Sequence, residues 1–496
     1  MRTLLASSDA RRFLPVCFVL PVCFVVVAWS SGISRAADTP TPVKASVSVH
    51  PGKPGVKIPV DFIGLSCEKK ILSRECFVPK NPTLLALCRT LGPGVLRIGG
   101  NEVDTTFWSR TDAPAVESMQ KNRYSLEPMT IGPVSVDNLF EFARDSDWRV
   151  IYGLNLGTYN PAMAADEADY VLKVGGRQLL ALEIGNEPNL YPKGPNRPGI
   201  RPWSHGYKEY KQEFIGTATA IREKHPKAPI AGPATTKSTD WMERFMADFK
   251  KEIAVSTSHT YPLSANENDP KAPRFASIEN LLGSKFPDDW LPKLESSKAV
   301  GVPYRVGECN TASGGGKSGV SDTFASALWC VDSMFDLAQH GAAGINIHGS
   351  FRPGKYSPIV FNKKREIYEP AAIYYGMLFF RQAAQGRIVP TECTTTANLV
   401  SYAAVDADGT LRVVLVNKDL TRPVVASVAF GSKATRVEAT RLTAPEVTST
   451  EGITLAGAAV AADGTWTPQP GEIVPCADGS CDVSVPIASA VLLTIN

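Results

Sequence analysis

From about residue 60 onward the chain repeats one pattern. A short apolar run of strand length stops at a polar or glycine tip, and a stretch with helical apolar spacing follows. The runs Val60–Ser66, Val95–Gly99, Val150–Asn155, Leu179–Ile184, Pro229–Gly232, Ala254–His259, Tyr304–Glu308 and Gly344–His348 read as strands. The intervening stretches Pro82–Leu91, Val136–Ser146, Ala164–Val174, Tyr207–Lys224, Thr239–Lys251, Val320–Gln339 and Ala371–Gln382 read as helices, with Val136, Leu139, Phe140 and Phe142 marking one apolar face. Eight strands alternating with helices predict an α/β fold, a (β/α)8 TIM barrel over residues 61–385. A doubly wound open sheet is the alternative, but no GxGxxG opens a helix.

Near residue 386 the alternation ends. Leu399–Val405 and Leu411–Asn417 flank a hairpin turn at Asp406–Thr410, and Val424–Phe430, Ala434–Leu442 and Ser489–Ile495 continue as strands without helices. A second, smaller all-β sandwich domain over 386–496 is predicted. Ala45–His50 alternates polar and apolar and has no place in the barrel, so 45–60 is assigned to the sandwich. No low-complexity linker separates the two parts, which are expected to pack tightly.

The first 36 residues stand apart. Arg2, Arg11 and Arg12 precede the apolar run Phe13–Trp29, and Ser34, Arg35 and Ala36 follow it. This is the layout of a signal peptide, 1–36, which predicts an exported protein, periplasmic or secreted. An uncleaved anchor is the alternative. No later run is long and apolar enough to span a bilayer, so no stable membrane insertion is expected after cleavage.

Composition narrows the function. At 44% hydrophobic and 20% charged, the chain lies outside the disordered range. A net charge of +3 over 496 residues argues against a broad nucleic-acid surface. Two of the ten cysteines, Cys17 and Cys23, belong to the leader. Cys476 and Cys481 flank a turn sequence and are expected to bridge in an exported protein; Cys67 and Cys76 are a weaker pair, and the other four read as buried small residues. With scattered histidines and no HExxH or CxxC, neither a metal nor a cofactor is expected. Oligomeric state is not encoded in any pattern here.

The candidate chemistry sits at strand ends. Leu179–Ile184 is apolar except for Glu183; Gly185 breaks it, and Asn186, Glu187 and Pro188 follow. Proline cannot continue a central strand, so Glu187 lies at a carboxyl end, the face where barrel enzymes keep their catalytic groups. Pro303–Glu308 repeats the logic: an apolar strand, a glycine, then Glu308. Glu187 follows the fourth strand and Glu308 ends the seventh, so in a closed barrel they face each other across the mouth. Two such carboxyl groups form a glycosidase pair, and at about 5–5.5 Å the second acts as nucleophile. Gly314, Gly315 and Gly316 form either an anion-binding nest of converging N–H groups or a plain flexible loop, with Lys317, Arg352 and Lys355 nearby in sequence.

Asn186-Glu187-Pro188 resembles the acid/base signature of the clan of barrel glycosidases with catalytic glutamates after strands four and seven. The segment Gly307–Ala325, with Glu308, three glycines six residues on, and Ser321-Asp322-Thr323-Phe324-Ala325, resembles the nucleophile segment of glycoside hydrolase family 79, which holds heparanases and β-glucuronidases, the bacterial ones among them. The likeness runs from about Phe62 to Phe380. It implies Glu187 as acid/base, Glu308 as nucleophile, Asn186 on the sugar 2-hydroxyl, Tyr261 orienting the nucleophile, and Glu68, Asn101 and His348 as substrate contacts. It also implies that Tyr356 and the N–H groups of Gly314 and Gly315 grip a uronate carboxylate. Cys67 and Ser313 depart from the animal heparanase pattern. A surface carboxylate is the lesser alternative for Glu68, and on residues alone His348 reads first as a core histidine.

The expected function is a retaining exo-β-glucuronidase that removes terminal glucuronic acid, with or without a 4-O-methyl group, from a uronic-acid-containing carbohydrate substrate. The segments Leu263–Asn280 and Tyr191–Trp203 are expected to wall the pocket. The alternatives are heparanase-like endo cleavage, a neutral-sugar glycosidase of the same clan, and a non-catalytic carbohydrate-binding protein.

Overall fold

The computed structural model describes residues 40–496 apart from 74–75, 79–80, 112–127, 193–198, 284–289, 432–433 and 435; the expected signal peptide lies outside them. Pro40–Asn496 forms one compact unit. No helix among the described residues is long and apolar enough to cross a membrane.

Eight parallel strands close into a barrel in sequence order. They are β1 Ile63–Glu68, β2 Gly94–Gly99, β3 Trp148–Leu154, β4 Leu179–Ile184, β5 Ile230–Thr236, β6 Ile253–Thr260, β7 Tyr304–Cys309 and β8 Gly344–His348. β8 closes the ring against β1, with Ile345 opposite Ile63 and His348 opposite Ser66. Helices on the outside and packed side chains within bury both strand faces, which is why the strands read as apolar runs rather than alternating ones. Every residue of β1, β2, β7 and β8 is buried.

Strand and helix limits differ from the expected ones mostly by one to three residues, with two larger departures. β5 runs on to Thr236 instead of stopping at Gly232. Pro233 reads as a breaker, but the ladder to β6 absorbs it through a register shift between Pro233 and Thr235. That extension carries Thr236 and Lys237 to the barrel mouth. The helix expected from Val320 starts at Phe324, because residues 320–323 turn back and Val320 and Ser321 bond to the Lys317 carbonyl.

The closed end of the barrel is sealed by a buried arginine. Arg305 on β7 donates to Asn346 Oδ1 at 2.6 Å and to the carbonyls of Asp61, Phe62, Ile63 and Ala343. Burial lowers its pKa to about 9.

The second domain is two packed sheets. One has the order Thr391–Thr394, Val43–Val49, Val424–Ala429, Ser480–Val485, Cys476–Ala477. The other is built on Arg387–Val389, Leu399–Val405, Leu411–Asn417, Ser489–Ile495, Val437–Thr443 and Thr454–Leu455. Val47, Val413, Val428, Val483 and Leu493 lie in the core between them. The leading strand Val43–Val49 buries Ala45, Val47 and Val49 and turns Lys44 and Ser46 to solvent. Barrel and sandwich share a continuous apolar core that includes Phe335, Val414, Val416 and Leu492. At their junction Asp332, on the helix Phe324–Gln339, accepts from Tyr402 Oη and Lys418 Nζ, each at 2.6 Å.

The expected Cys476–Cys481 bridge is not formed. The two residues stand opposite each other in the hairpin, yet neither is in a disulfide, and neither are Cys67 and Cys76. Cys481 is packed into the sandwich core as a small apolar group, and burial, with Cys476 beside it, pushes its thiol pKa up to about 11.

Candidate active site

The carboxyl ends of the barrel strands surround a cavity of about 460 Å³. Glu68, Asn101, Glu187, Tyr261, Glu308, Gly314, Gly315, His348 and Tyr356 all line it. Asn186 does not. It lies behind the wall, fully buried, where its Nδ2 donates to Asn101 Oδ1 at 3.2 Å and its Oδ1 accepts from Arg97.

Local backbone geometry aims the two carboxyl groups. Gly185 has φ +81, and a Cβ there would meet Leu156 and the Tyr191 hydroxyl at 3.0 Å, so the turn out of β4 accepts only glycine. Glu187 itself is left-handed, with φ +45, and its N–H donates to the Ala234 carbonyl at 2.9 Å. A non-glycine residue held there stores backbone strain, as functional positions commonly do. Glu308 is aimed by a register shift of β7 against β6 between Val306 and Glu308. One oxygen of Glu187 and one of Glu308 lie within 4.8 Å of each other.

Behind the pair sits Arg97 on β2, fully buried. Its Nε donates to Glu183 Oε2 at 2.7 Å, Nη1 to Glu308 Oε2 at 2.8 Å and to Ser66 Oγ at 3.3 Å, and Nη2 to Asn186 Oδ1 at 2.8 Å. Thr257 Oγ1 donates to the other Glu183 oxygen at 2.7 Å. A guanidinium fork is suited to this, since its planar donors reach several acceptors without rearrangement. Burial disfavours the charge on Arg97, but Glu183 and Glu308 outweigh it and raise the pKa.

Glu308 is held ionised. Burial would raise its pKa, but His348, His259, Arg97 and the hydroxyl of Tyr261 together hold it well below the usual carboxylate range. Tyr261 Oη donates to Glu308 Oε1 at 2.8 Å. Burial also opposes charge on His348, whose Nδ1 is 3.0 Å from Ser66 Oγ and 3.6 Å from Glu308 Oε2, and whose Nε2 is 3.6 Å from Glu68 Oε1. Glu308 and Glu68 reverse that effect and raise the His348 pKa. Glu68 Oε2 accepts from the Glu102 N–H at 2.7 Å.

Sequence reasoning passed over Arg97, Glu183 as its partner, His259, and the pocket cations Lys237 and Arg274. His259 Nδ1 is 3.2 Å from Glu187 Oε1. Lys237 and Arg274 line the cavity, whereas Arg352 turns away to pair with Glu102 at 3.4 Å, and Lys317 and Lys355 are exposed outside the lining. The segment from Leu263 supplies wall, as expected: Leu263 and Ser264 pair with Ala312 and Ser313, and Asn266 and Arg274 reach the cavity. On the other side, Leu190 lines it, while part of Tyr191–Trp203 lies outside the described residues.

Gly314, Gly315 and Gly316 are all left-handed, with φ +83, +88 and +80. A Cβ on Gly316 would meet Tyr356 Cβ at 2.9 Å, so the loop lies directly on that tyrosine. Glu187, His259 and Glu308 also offer ligand atoms within 4.8 Å of one another. Both Glu308 oxygens are already engaged by Arg97 and Tyr261, so a cation there would have to displace one of them.

Residues 401–492 match the family described as Glycosyl hydrolase family 79 C-terminal beta domain. The chain is 24% identical over 368 residues to a beta-glucuronidase of Neurospora crassa, covering 65% of this chain and 64% of that protein. It is 22% identical over 408 residues to the heparanase of Mus musculus, covering 71% and 73%. The chain thus spans just under two thirds of the length of the fungal relative. In three dimensions it resembles a 4-O-α-L-rhamnosyl-β-D-glucuronidase from Fusarium oxysporum 12S, with a TM-score of 0.75 at 19% identity, covering 90% of this chain and all of that one. A family 51 α-L-arabinofuranosidase from Bifidobacterium longum gives a TM-score of 0.66 at 15% identity, covering 92% and 100%. These likenesses show a barrel-and-sandwich fold shared with glycosidases.

Proposed function

We propose that the protein is a retaining exo-β-glucuronidase that removes terminal glucuronic acid, with or without a 4-O-methyl group, from glycans or glycosides. The observation that carries this reading is the unequal pair at the barrel mouth: Glu308 held ionised by its surroundings, with a Glu187 oxygen within 4.8 Å. That spacing fits the retaining class and is short of the 6.5–9.5 Å that inverting enzymes leave for a water.

In this reading Glu308 attacks the anomeric carbon while Glu187 gives its proton to the leaving oxygen. The C–O bond to the aglycone breaks and a glycosyl ester to Glu308 forms. Glu187, now ionised, takes a proton from water, which attacks the anomeric carbon; the bond from that carbon to the Glu308 oxygen breaks, the sugar leaves with its original configuration and Glu308 returns as carboxylate. Tyr261 and Arg97 keep Glu308 aimed, and Asn186, tied to Arg97, positions Asn101 at the wall.

The uronate preference is supported by the three left-handed glycines against Tyr356 and by Lys237 and Arg274 at the same cavity. Backbone N–H groups in such a run can converge on an anion. The names of the fungal and animal relatives agree with a glucuronide substrate. A cavity of about 460 Å³, walled by Asn266, Arg274 and Leu190, suits a chain end, which supports exo action. We further propose export through the leader 1–36 and, apart from Asn186, which acts here through Asn101 rather than on the sugar, the residue roles given above. The test is kcat/KM on an aryl β-glucuronide against the matching β-glucoside and β-galactoside, with the first-formed anomer read by proton NMR. No preference for the uronide, or an inverted first product, sinks the reading. Internal fragments from a heparan oligosaccharide would transfer it to the endo mode of the heparanase relatives.

A further inference from the structure

Asn310 directly follows β7, and the proposed mechanism gives it no task. It is fully buried and is not among the residues that line the cavity. Its neighbours fix which way its amide points. One end faces two carbonyls: Nδ2 donates to His348 O at 2.7 Å and to Tyr356 O at 2.8 Å. The other end faces an N–H: Oδ1 accepts from Thr311 N at 2.7 Å. Turning the amide over would set an oxygen against two carbonyl oxygens and an NH2 group against an N–H, so one orientation alone fits.

These partners belong to two different loops. His348 ends β8 and Tyr356 lies at the far end of the loop that follows it, so the two hydrogens of one NH2 group tie that loop at both ends. The loop folds tightly: Gly349 has φ +98, and a Cβ there would come within 2.5 Å of the Tyr356 ring. Thr311, held through its N–H, begins the glycine loop after β7. Thr311 Oγ1 donates to Ser321 Oγ at 2.8 Å, and Ser321 Oγ also accepts from the Lys317 N–H at 2.9 Å. Ser321 thus closes the glycine loop at its base. The two loops meet at Gly316, where a Cβ would lie 2.9 Å from Tyr356 Cβ and 3.1 Å from Ser321 Cβ. Between them they carry His348, Tyr356, Gly314 and Gly315 to the cavity.

We infer that Asn310 is the positioning residue for the uronate side of the site: one buried amide sets the glycine loop and the loop after β8 in register, and thereby sets the preference for a uronide over a neutral glycoside. This rests on the proposed uronate reading of that wall. The physical need is plain. A nest binds an anion only while its N–H groups converge, and a run of glycines left to itself has the most conformational freedom to lose. Fixing the loops during folding removes that ordering cost from substrate binding. Glu308 is held from elsewhere, by Arg97 of β2 and by Tyr261 beyond β6. Loss of the Asn310 tie therefore falls more heavily on recognition of the sugar than on the nucleophile.

Two measurements test it. Asn310→Asp is nearly isosteric but turns a carboxylate oxygen toward the two carbonyls. Its kcat/KM on an aryl β-glucuronide should fall about tenfold further than on the matching β-glucoside, with most of the difference in KM. A buried carboxyl facing carbonyls has a raised pKa, and once protonated it donates to one of them again. The uronide-to-glucoside ratio, taken relative to wild type at each pH, should therefore recover as pH falls from about 7.5 to about 5. A packing defect has no reason to follow that proton, so a ratio equal to wild type throughout, or a lowered ratio indifferent to pH, overturns the inference. If Asn310→Asp does not fold, Ser321→Ala, which removes a single hydroxyl, should lower the same ratio, and an unchanged ratio there overturns it. The second measurement is hydrogen exchange by mass spectrometry on the protein without substrate. In either variant, residues 314–321 and 349–357 should exchange faster together, while the helix Tyr207–Lys224 keeps its wild-type rate. Faster exchange in one loop only, or in neither, sinks the inference and leaves the functional reading intact. A wild-type enzyme with no uronide preference sinks the functional reading, and with it the role in specificity, whatever the exchange shows.

Discussion

Arg97 Nη1 lies 2.8 Å from Glu308 Oε2, and Tyr261 Oη lies 2.8 Å from the opposite oxygen of the same carboxylate. The proposed nucleophile is thus gripped from both sides, one grip charged and one neutral. Replacing Glu308 by Gln keeps the shape and removes the attacking charge. We expect kcat for an aryl β-glucuronide to fall by at least about 10⁴-fold while a glucuronate-type inhibitor still binds, measured by steady-state kinetics and calorimetry. Full activity in this variant refutes the nucleophile assignment.

Glu187→Ala should lose about 10²–10⁴-fold on substrates with poor leaving groups and far less on an aryl glucuronide whose leaving group needs no proton. Added azide, which attacks without a base, should speed the second step and yield a β-glucuronyl azide. An α-azide, or no leaving-group dependence, assigns the acid elsewhere.

Arg97 is a stability prediction as well as a catalytic one. It is a fully buried cation with two buried carboxylates, so Arg97→Met leaves Glu183 and Glu308 unpaired and should cost about 3–5 kcal/mol. Urea unfolding followed by fluorescence measures it. Arg97→Lys keeps the charge but not the fork, and should be intermediate.

The pH dependence has two signs. Glu308 is depressed in the folded state, so its contribution to stability is complete above the ordinary carboxylate range and is lost as pH falls toward the depressed value. His348 is raised, so its contribution is complete below the ordinary histidine range and is lost as pH rises through the folded value. Denaturation midpoints should therefore decline on both sides of mildly acidic pH. In His348→Asn the alkaline part of the decline should weaken and the acid limb of kcat/KM should move up, because Glu308 loses a positive neighbour.

The glycine loop separates strain from clash. A Cβ on Gly315 meets nothing within 4 Å, so Gly315→Ala carries only the penalty of φ +88, about 1–3 kcal/mol. Gly316→Ala drives a methyl against Tyr356 and Ser321. Both variants should lower the ratio of kcat/KM for the uronide over the neutral glycoside. An unchanged ratio in both removes the nest from substrate recognition.

The barrel was legible because each strand announces its end: an apolar run has no reason to stop at Gly-Asn-Glu or Gly-Glu unless the chain there reaches a polar pocket. The two glutamates stand at such stops. Arg97 was not legible for the opposite reason, since it lies inside the apolar run Val95–Gly99 and looks like an interruption. Yet Glu183 interrupts Leu179–Ile184 in the same way, and two opposite charges inside buried strands of one barrel must find each other. That pairing was the available signal. His259 had none, because Thr257, Ser258 and Thr260 make its strand end polar throughout. Lys237 was hidden by Pro233, which made β5 look four residues shorter than it is.

The strand Val43–Val49 leaves the ribosome ahead of the whole barrel, but its partners Thr391–Thr394 and Val424–Ala429 follow about 340 and about 380 residues later. During synthesis it waits unpaired, with Lys44, Ser46 and Ser48 on the face opposite Ala45, Val47 and Val49 discouraging premature association. Its docking is a late, long-range step that closes the chain on itself. A version of the protein lacking residues 43–49 should complete its barrel and stall with an open sandwich, prone to pair through that gap with a neighbouring copy.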